Sequence, residues 1–264
     1  MIVTYRDRAK YMSQSVAKIA EVVEENKEKA VEEIVQEKAV DPSSTLTFEE
    51  YRSYQGESGV KYELYKGKLI TMSAATVLHI KICEFLAYKL QRYLAEHNLN
   101  LVVKTGLGVR TKEDSSRIPD VVVCTQSLLE KAAARGGSGI LDLDETPLLV
   151  VEVVSEDRRA DYVIKRAEYE LANVPEYLIF DPAKNKQRVR ALSFQQGEES
   201  YTQIDYLPGQ EISSVVFPDL ILSVDEMLNP PLVEELIKEE QTRLQKTERL
   251  AAKLREMGVD PDFV

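Results

Sequence analysis

A single acidic residue inside an apolar run constrains this chain more than any other feature. Residues 148–154 read Leu-Leu-Val-Val-Glu-Val-Val, a composition typical of a strand buried on both faces. An ionised carboxylate in such a strand is costly unless it is paired or binds a metal ion. Glu152 therefore predicts a functional site in the core of a domain. The structural alternative is a buried salt bridge to Lys165 or Arg166.

Two more polar residues lie in the segments around this strand. Asp120 follows Pro119 and opens the apolar run at 121–123, which predicts a second buried strand. Lys165 lies in a segment that begins at Asp161 and has a helical pattern, and residues 174–181 predict another buried strand. The predicted frame is therefore strand, strand, helix, strand, with Asp120, Glu152 and Lys165 as its polar exceptions.

Other segments are predicted to surround this frame. Residues 13–39 and 232–257 have helical spacing, and the apolar residues of the second segment are roughly heptad-spaced. Thr47 and Glu50 have the spacing of a capping box, and residues 61–70 predict a β-hairpin around Lys66-Gly67. A long helix is predicted at 80–94, strands are predicted at 101–104 and 108–111, and further strands or hairpins are predicted at 186–192, 201–206 and 215–222.

Composition restricts the class of protein only partly. The chain has no run of eighteen apolar residues, and its first residues lack the apolar core of a signal peptide, so we expect a cytoplasmic protein without a membrane span. Two cysteines and two histidines make a Cys-pair or His-rich zinc site unexpected. The net charge of −11 neither supports nor excludes a nucleic-acid substrate, because much of the acidic excess lies in the terminal segments.

The three polar exceptions have a chemistry in common. Two carboxylates on neighbouring strands offer hard oxygen ligands to an ion such as Mg²⁺, which activates a bound water and stabilises charge on a phosphate oxygen. A nearby ammonium can orient that water or offset developing negative charge. Asp120, Glu152 and Lys165 together therefore suit the hydrolysis of a phosphodiester.

These residues also belong to a longer pattern. It consists of Tyr62-Glu63-Leu64-Tyr65-Lys66-Gly67, His79, Pro119-Asp120, Glu152-Val153-Val154-Ser155, Asp161, Lys165, Tyr169, Glu176-Tyr177 and Asp181-Pro182. The pattern resembles the Uma-two family of restriction endonucleases, within the PD-(D/E)XK nuclease superfamily, over roughly residues 47–228. The resemblance implies an α/β fold of mixed α+β type, with a restriction-endonuclease-like central mixed sheet flanked by helices. It also implies a metal-dependent nuclease site.

The resemblance assigns roles residue by residue. Asp120 matches the metal-binding Asp, Glu152 the second acid, and Glu63 an acid of the opening motif that adds a third metal ligand directly or through water. Val154 departs from the superfamily pattern, which has Lys there, and Lys165 is the expected replacement. At Asn173, where Gly is common, Asn is expected to adopt the left-handed conformation of a helix C-cap.

The sequence thus predicts a DNA endonuclease that depends on Mg²⁺ or Mn²⁺. The alternative is a catalytically inactive nuclease-fold module that binds a protein or nucleic acid, which Val154 and the acidic net charge favour. The nuclease-like domain is predicted at 43–229, between a helical extension at 1–42 and a C-terminal helix at 230–264 that is a possible coiled coil. A homodimer through these terminal helices is expected.

Overall fold

The computed structural model describes residues 45–155, 158–257 and 260 of the chain. The helix predicted at 13–39 lies outside the described residues. Residues 46–54 and 61–257 belong to one compact unit, which contains every element named below. Residues 55–60 belong to a second unit and form a turn in which the Val60 amide donates to the Glu57 carbonyl (3.1 Å).

Helices and strands alternate along most of the large unit. The helices are α1 (Phe48–Arg52), α2 (Val77–Glu96), α3 (Gln126–Arg135), α4 (Arg166–Leu171), α5 (Val224–Leu228) and α6 (Val233–Glu256), and a π-helical turn (Ala160–Lys165) leads directly into α4. The strands are β1 (Tyr62–Tyr65), β2 (Lys68–Thr71), β3 (Leu101–Lys104), β4 (Gly108–Lys112), β5 (Ser115–Arg117), β6 (Val121–Thr125), β7 (Ile140–Leu141), β8 (Leu149–Val153), β9 (Glu176–Asp181), β10 (Arg188–Phe194), β11 (Tyr201–Tyr206), β12 (Glu211–Ser213) and β13 (Ile221–Ser223).

The central sheet is mixed, as the sequence predicted. Its strand order is β11-β10-β9-β8-β6-β3, and β8 pairs with β9 in parallel while the other pairs are antiparallel. A parallel pair needs a crossover connection, and the π-helical turn followed by α4 provides it between β8 and β9. The two predicted acidic strands, β6 and β8, are therefore neighbours inside the sheet.

Helices cover both faces of this sheet. Successive side chains of each strand point to opposite faces, so the strand residues divide between two apolar clusters. Val121 and Val151 pack into one apolar cluster with residues of α2, including Phe85. Val122 and Val150, one position along, pack into a second cluster that includes Ala132 of α3 and Tyr169 of α4. Both clusters are buried, which explains why β6 and β8 read as continuous apolar runs.

A second sheet carries further residues of the site. Its order is β2-β1-β5-β4-β7, and it includes the predicted hairpin, whose turn residues Lys66 and Gly67 have φ of 51° and 75°. Strand β1 carries Glu63 and the adjacent β5 carries Arg117. The sequence did not separate these strands from the central sheet.

The strand predicted at 215–222 is wrong over most of its length. Only β13 (Ile221–Ser223) is extended and paired there, and its partner β12 was not predicted. The buried Glu176 carboxylate accepts from the amides of Val215 (2.9 Å) and Val216 (3.4 Å), and Ser214 caps the amide of Phe217 (3.0 Å). These side-chain acceptors hold the backbone amides in a loop, so they cannot join a strand ladder.

The two terminal features of the unit agree with the sequence pattern. The predicted capping box is present at α1, since the Thr47 hydroxyl accepts from the Glu50 amide and the Glu50 carboxylate accepts from the Thr47 amide. The C-terminal helix is confirmed as α6, whereas the short α5 before it was not predicted. In the described part of the chain, no helix has the length and apolar character needed to cross a membrane.

Asn173 ends α4 in the left-handed conformation that the sequence predicted, with φ of 55°. A side chain with a Cβ is strained there, and Asn tolerates it better than Ala does. We expect Asn173→Ala to lower the free energy of unfolding by about 1 kcal/mol, while Asn173→Gly is at least as stable as the native chain in urea titrations. Equal stability of the Ala and Gly variants would contradict this assignment.

Candidate active site

Asp120 and Glu152 lie on facing strands. Val121 pairs with Val151 in the antiparallel β6–β8 ladder, so the same register places Asp120, immediately before β6, across from Glu152. The Asp120 Oδ2 accepts from the backbone amide of Val153 (2.7 Å), which fixes the carboxylate against β8. The two predicted acids are thus brought to the same point of the sheet by strand pairing alone.

Lys165 reaches Glu152 from the helical crossover. Its Nζ lies 2.8 Å from Glu152 Oε2, 3.1 Å from Asp161 Oδ1 and 3.9 Å from Glu63 Oε1. Lys165 is the last residue of the π-helical turn, and its side chain is almost completely buried. Val154, at the Lys position of the superfamily pattern, instead packs against an apolar cluster of the core.

Glu152 is held on both carboxylate oxygens. Oε2 faces Lys165, and Oε1 accepts a hydrogen bond from the hydroxyl of the fully buried Tyr169 (2.9 Å). Asp161 is held in a similar way, since its Oδ2 accepts from the Ser155 amide (3.3 Å) and its carbonyl accepts from the Tyr177 hydroxyl (2.9 Å). These bonds fix both acids around the Lys165 ammonium.

Glu63 lies at the Lys165 side of the site and is held by Arg117. Its Oε2 accepts from Arg117 (2.9 Å) and its Oε1 from the Ile118 amide (3.0 Å). The buried guanidinium also binds both oxygens of Glu168 (2.6 and 3.2 Å) and lies 4.7 Å from the centre of the Tyr65 ring. Sequence reasoning missed Arg117 and Glu168, although Glu168 lies one helical turn beyond Lys165.

His79 and Cys83 lie at the opposite, Asp120 side of the site. His79 Nε2 is 2.8 Å from Asp120 Oδ1. Cys83 follows one helical turn later on α2, and one ligand atom from each of the three residues lies within 4.8 Å of the others. His79 belongs to the family pattern described above, whereas no sequence motif singled out Cys83. The i, i+4 spacing of the two residues is the signal that would have linked them.

Negative charge exceeds positive charge in this cluster. Its carboxylates are Glu63, Asp120, Glu152, Asp161 and Glu168, and its permanent cations are Arg117 and Lys165. We call these seven residues the acidic cluster.

Burial and the excess of carboxylates shift the pKa values of Glu152 and Lys165 in the acidic cluster. Burial raises the pKa of Glu152 well above its usual value, and the nearby Asp120, Asp161 and Glu63 carboxylates raise it further against the effect of Lys165. Burial alone would lower the pKa of Lys165, but Glu152, Glu63 and Asp161 outweigh it and raise that pKa. Lys165 therefore stays a cation, and the cluster has capacity for a further positive charge.

Arg158, Arg188 and Arg190 are paired with aspartates. Arg158 binds Asp181 through both carboxylate oxygens, and Arg188 and Arg190 both bind Asp205 (3.2 and 2.7 Å). These arginines hold neighbouring strands and loops together.

A mixed sheet with acids on two adjacent strands and a Lys on the next crossover helix defines a domain of the restriction-endonuclease-like fold. The sequence model of the Uma2 family, described as "Putative restriction endonuclease", matches residues 48–225, and the chain belongs to this family. No curated protein is detectably similar in sequence.

The fold has a solved relative. A crystal structure titled as a putative nuclease belonging to DUF820, from Anabaena variabilis ATCC 29413, is similar over 70% of this chain and 98% of that chain. The TM-score is 0.55 and the sequence identity 15%. This likeness shows a shared fold.

Arg117 is expected to be essential for the stability of the site. Arg117→Met leaves Glu63 and Glu168 buried without their guanidinium partner, and breaking a buried ion pair in this way costs about 3–5 kcal/mol. Urea denaturation of the full chain measures the loss. Arg188→Met is the matched control, because its partner Asp205 keeps Arg190, and we expect a loss below about 1 kcal/mol. Equal losses in the two variants would refute the role of Arg117.

Proposed function

We propose that this protein is a metal-dependent nuclease that hydrolyses phosphodiester bonds in DNA. The single observation that carries the proposal is the position of Lys165 Nζ, 2.8 Å from Glu152 on β8, whose Val153 amide binds the Asp120 carboxylate immediately before the neighbouring β6. Membership in a family described as restriction endonucleases supports the same class of reaction. The site thus combines two acids from neighbouring strands with an ammonium from the crossover between β8 and β9.

The residues present fit a divalent cation. Asp120 and Glu152 supply carboxylate oxygens from adjacent strands, and the acidic cluster has more carboxylates than cations. These two acids would hold Mg²⁺ or Mn²⁺, with Glu63 contributing directly or through water. When bound, the ion would activate a coordinated water and stabilise charge on the phosphate.

Lys165 has a role that its protonation state defines. Because its pKa is raised by the three surrounding carboxylates, the side chain remains an ammonium throughout the neutral range and does not act as a general base. We propose that it orients the attacking water and offsets the negative charge that develops on the phosphate. Glu152, Asp161 and Glu63 position the ammonium for this task.

The alternative function, an inactive binding module, rested mainly on Val154. A hydrophobic residue at the usual Lys position would leave the site without an ammonium if no other Lys reached it. The contact between Lys165 and Glu152 weighs against that argument, since the ammonium comes from the crossover instead. The nuclease is therefore the function that the geometry supports best.

A cleavage assay on plasmid and single-stranded DNA with Mg²⁺ or Mn²⁺ tests the proposal. We expect Asp120→Asn, Glu152→Gln and Lys165→Met each to lower the cleavage rate by about 10²-fold or more, because each removes a group that stabilises the transition state or holds the ion. Lys131→Met, on the exposed side of α3, is the matched control and should cleave at the native rate.

Mn²⁺ binding measured by calorimetry on the same variants separates the roles. Asp120→Asn and Glu152→Gln should lose the ion, whereas Lys165→Met should keep it. Circular dichroism confirms that each variant folds. The nuclease proposal fails if the native chain cleaves neither substrate with either ion, and the role of Lys165 fails if Lys165→Met cleaves like the native chain.

A further inference from the structure

Three donors of different chemistry meet at the Asp120 side of the site. The His79 imidazole, the Cys83 thiol and the Asp120 carboxylate each have a ligand atom within 4.8 Å of the other two. That separation lets one ion contact all three, since ligand bonds of about 2.0–2.3 Å place the ligands of a tetrahedral ion within such a range. All three residues are partly buried.

Rigid packing fixes the relative positions of the donors. His79 and Cys83 lie one turn apart on α2, whose first turn is capped by the Thr76 hydroxyl through the His79 amide (3.2 Å). Ile82 and Leu86 on the same helix are completely buried in the core. Asp120 is fixed by the Val153 amide, so both sides of the site are held by regular elements.

The chemistry of these donors differs from that of the acidic cluster. Mg²⁺ takes oxygen ligands, whereas imidazole nitrogen and thiolate sulfur favour later transition metals such as Co²⁺ and Zn²⁺. Three protein ligands that leave a fourth position open are typical of catalytic rather than structural zinc sites. The alternative is a structural hydrogen bond between His79 and Asp120 without a metal ion. That alternative does not explain why the Cys83 thiol lies beside both residues.

We propose that His79, Cys83 and Asp120 form a binding site for a transition-metal ion of the Zn²⁺ or Co²⁺ type. The proposal rests on the proposed function only in that Asp120 serves both sites. An ion bound here would compete with Mg²⁺ or Mn²⁺ for the Asp120 carboxylate. The identity of the bound metal would then depend on Cys83, a residue outside the quoted family motif.

Cobalt spectroscopy on the full chain tests this site directly. Titration of the native protein with Co²⁺ should produce a thiolate-to-cobalt charge-transfer band in the near ultraviolet. Cys83→Ser should abolish the band and weaken Zn²⁺ binding by more than the ~10-fold to 100-fold that loss of an outer partner costs. Cys124→Ser is the matched control, because Cys124 is buried on β6, and its band should equal the native one.

The outcomes separate this proposal from the nuclease. Lys165→Met should keep the cobalt band and lose cleavage, because Lys165 is not among the three donors. Absence of the band in the native chain, or its survival in Cys83→Ser, would overturn the transition-metal site whatever the cleavage assay gives. If the chain shows a cobalt band that depends on Cys83 but has no cleavage activity, the metal site is supported and only the nuclease proposal is contradicted.

A second, independent observation concerns α6 (Val233–Glu256). Val233 and Leu236 pack against the core at its start, but every residue from 241 to 250 is exposed among the described residues. Leu244 and Leu250 expose 59% and 53% of their surface. Most of the stability of a helix in a protein comes from packing of its apolar face, so a partner would stabilise the second half of α6.

Negative charges dominate the first part of α6 and positive charges dominate the second. The first part, residues 233–242, contains four Glu and one Lys, a net charge of −3, and the second part, residues 243–256, contains five Lys or Arg and two Glu, a net charge of +3. The residues are Glu234, Glu235, Lys238, Glu239 and Glu240, then Arg243, Lys246, Glu248, Arg249, Lys253, Arg255 and Glu256. Antiparallel pairing with a second copy places each acidic half against a basic half, whereas parallel pairing places like charges together.

We infer that α6 pairs antiparallel with α6 of a second copy to form a homodimer. The heptad-spaced Ile237, Leu244, Ala251 and Leu254 would form a seam centred on Leu244, so that the acidic part of each helix lies against the basic part of the other. This gives the homodimer that the sequence predicted a defined interface.

Charge reversal in the full chain tests the arrangement by light scattering after gel filtration. One variant changes Lys246, Arg249 and Lys253 to Glu, and the other changes Glu234, Glu235 and Glu239 to Lys. We expect the native chain to be a dimer, each variant alone to dissociate with a dissociation constant at least tenfold higher, and their equimolar mixture to form a heterodimer. A monomeric native chain, or variants that dimerise alone as well as the native chain does, would overturn the inference.

Discussion

The buried ion pair between Glu152 and Lys165 is the interaction on which the rest of the site depends. Moving two charges out of water is costly, and their attraction offsets that cost only when the remaining donors and acceptors are also satisfied. Tyr169 satisfies Glu152, and Asp161 and Glu63 surround the Lys165 ammonium. The π-helical turn is significant for the same reason, because it ends at the residue whose side chain must reach back to β8.

The same ion pair explains the wider arrangement of charge. The Lys165 ammonium cannot balance all the carboxylates of the cluster. Arg117 forms ion pairs with Glu63 and Glu168, and His79 contacts Asp120. Burial raises the pKa of Glu152, and repulsion from the neighbouring carboxylates raises it further. Such an arrangement is unfavourable for stability alone and favourable for binding a cation, which is the trade-off expected at a functional site.

The sequence predicted which residues meet at the centre of the candidate site because their signal is local. Glu152 stands out in an apolar run, Asp120 follows a Pro at a strand start, and the family pattern relates Lys165 to both. Arg117 and Glu63 are 54 residues apart, and Arg117 and Glu168 are 51 apart, so no local pattern relates them. The prediction for the loop at 215–220 was wrong because its amides donate hydrogen bonds to Glu176, a carboxylate distant in sequence. Site residues were therefore predictable where a polar residue interrupts an apolar run. They were not predictable where only a contact between residues distant in sequence brings them together.

The position of Lys165 explains how the site can depart from the superfamily pattern without losing an ammonium. Strands β8 and β9 are parallel, so the chain must cross over the sheet between them, and the crossover begins beside the acidic end of β8. A Lys on the first turns of that crossover reaches Glu152 as well as a Lys two positions along the strand would. The strand position is then free for Val154 to pack in the core. The crossover thus supplies the ammonium to Glu152, so the contact between these two side chains is a better guide to this site than the spacing of the motif.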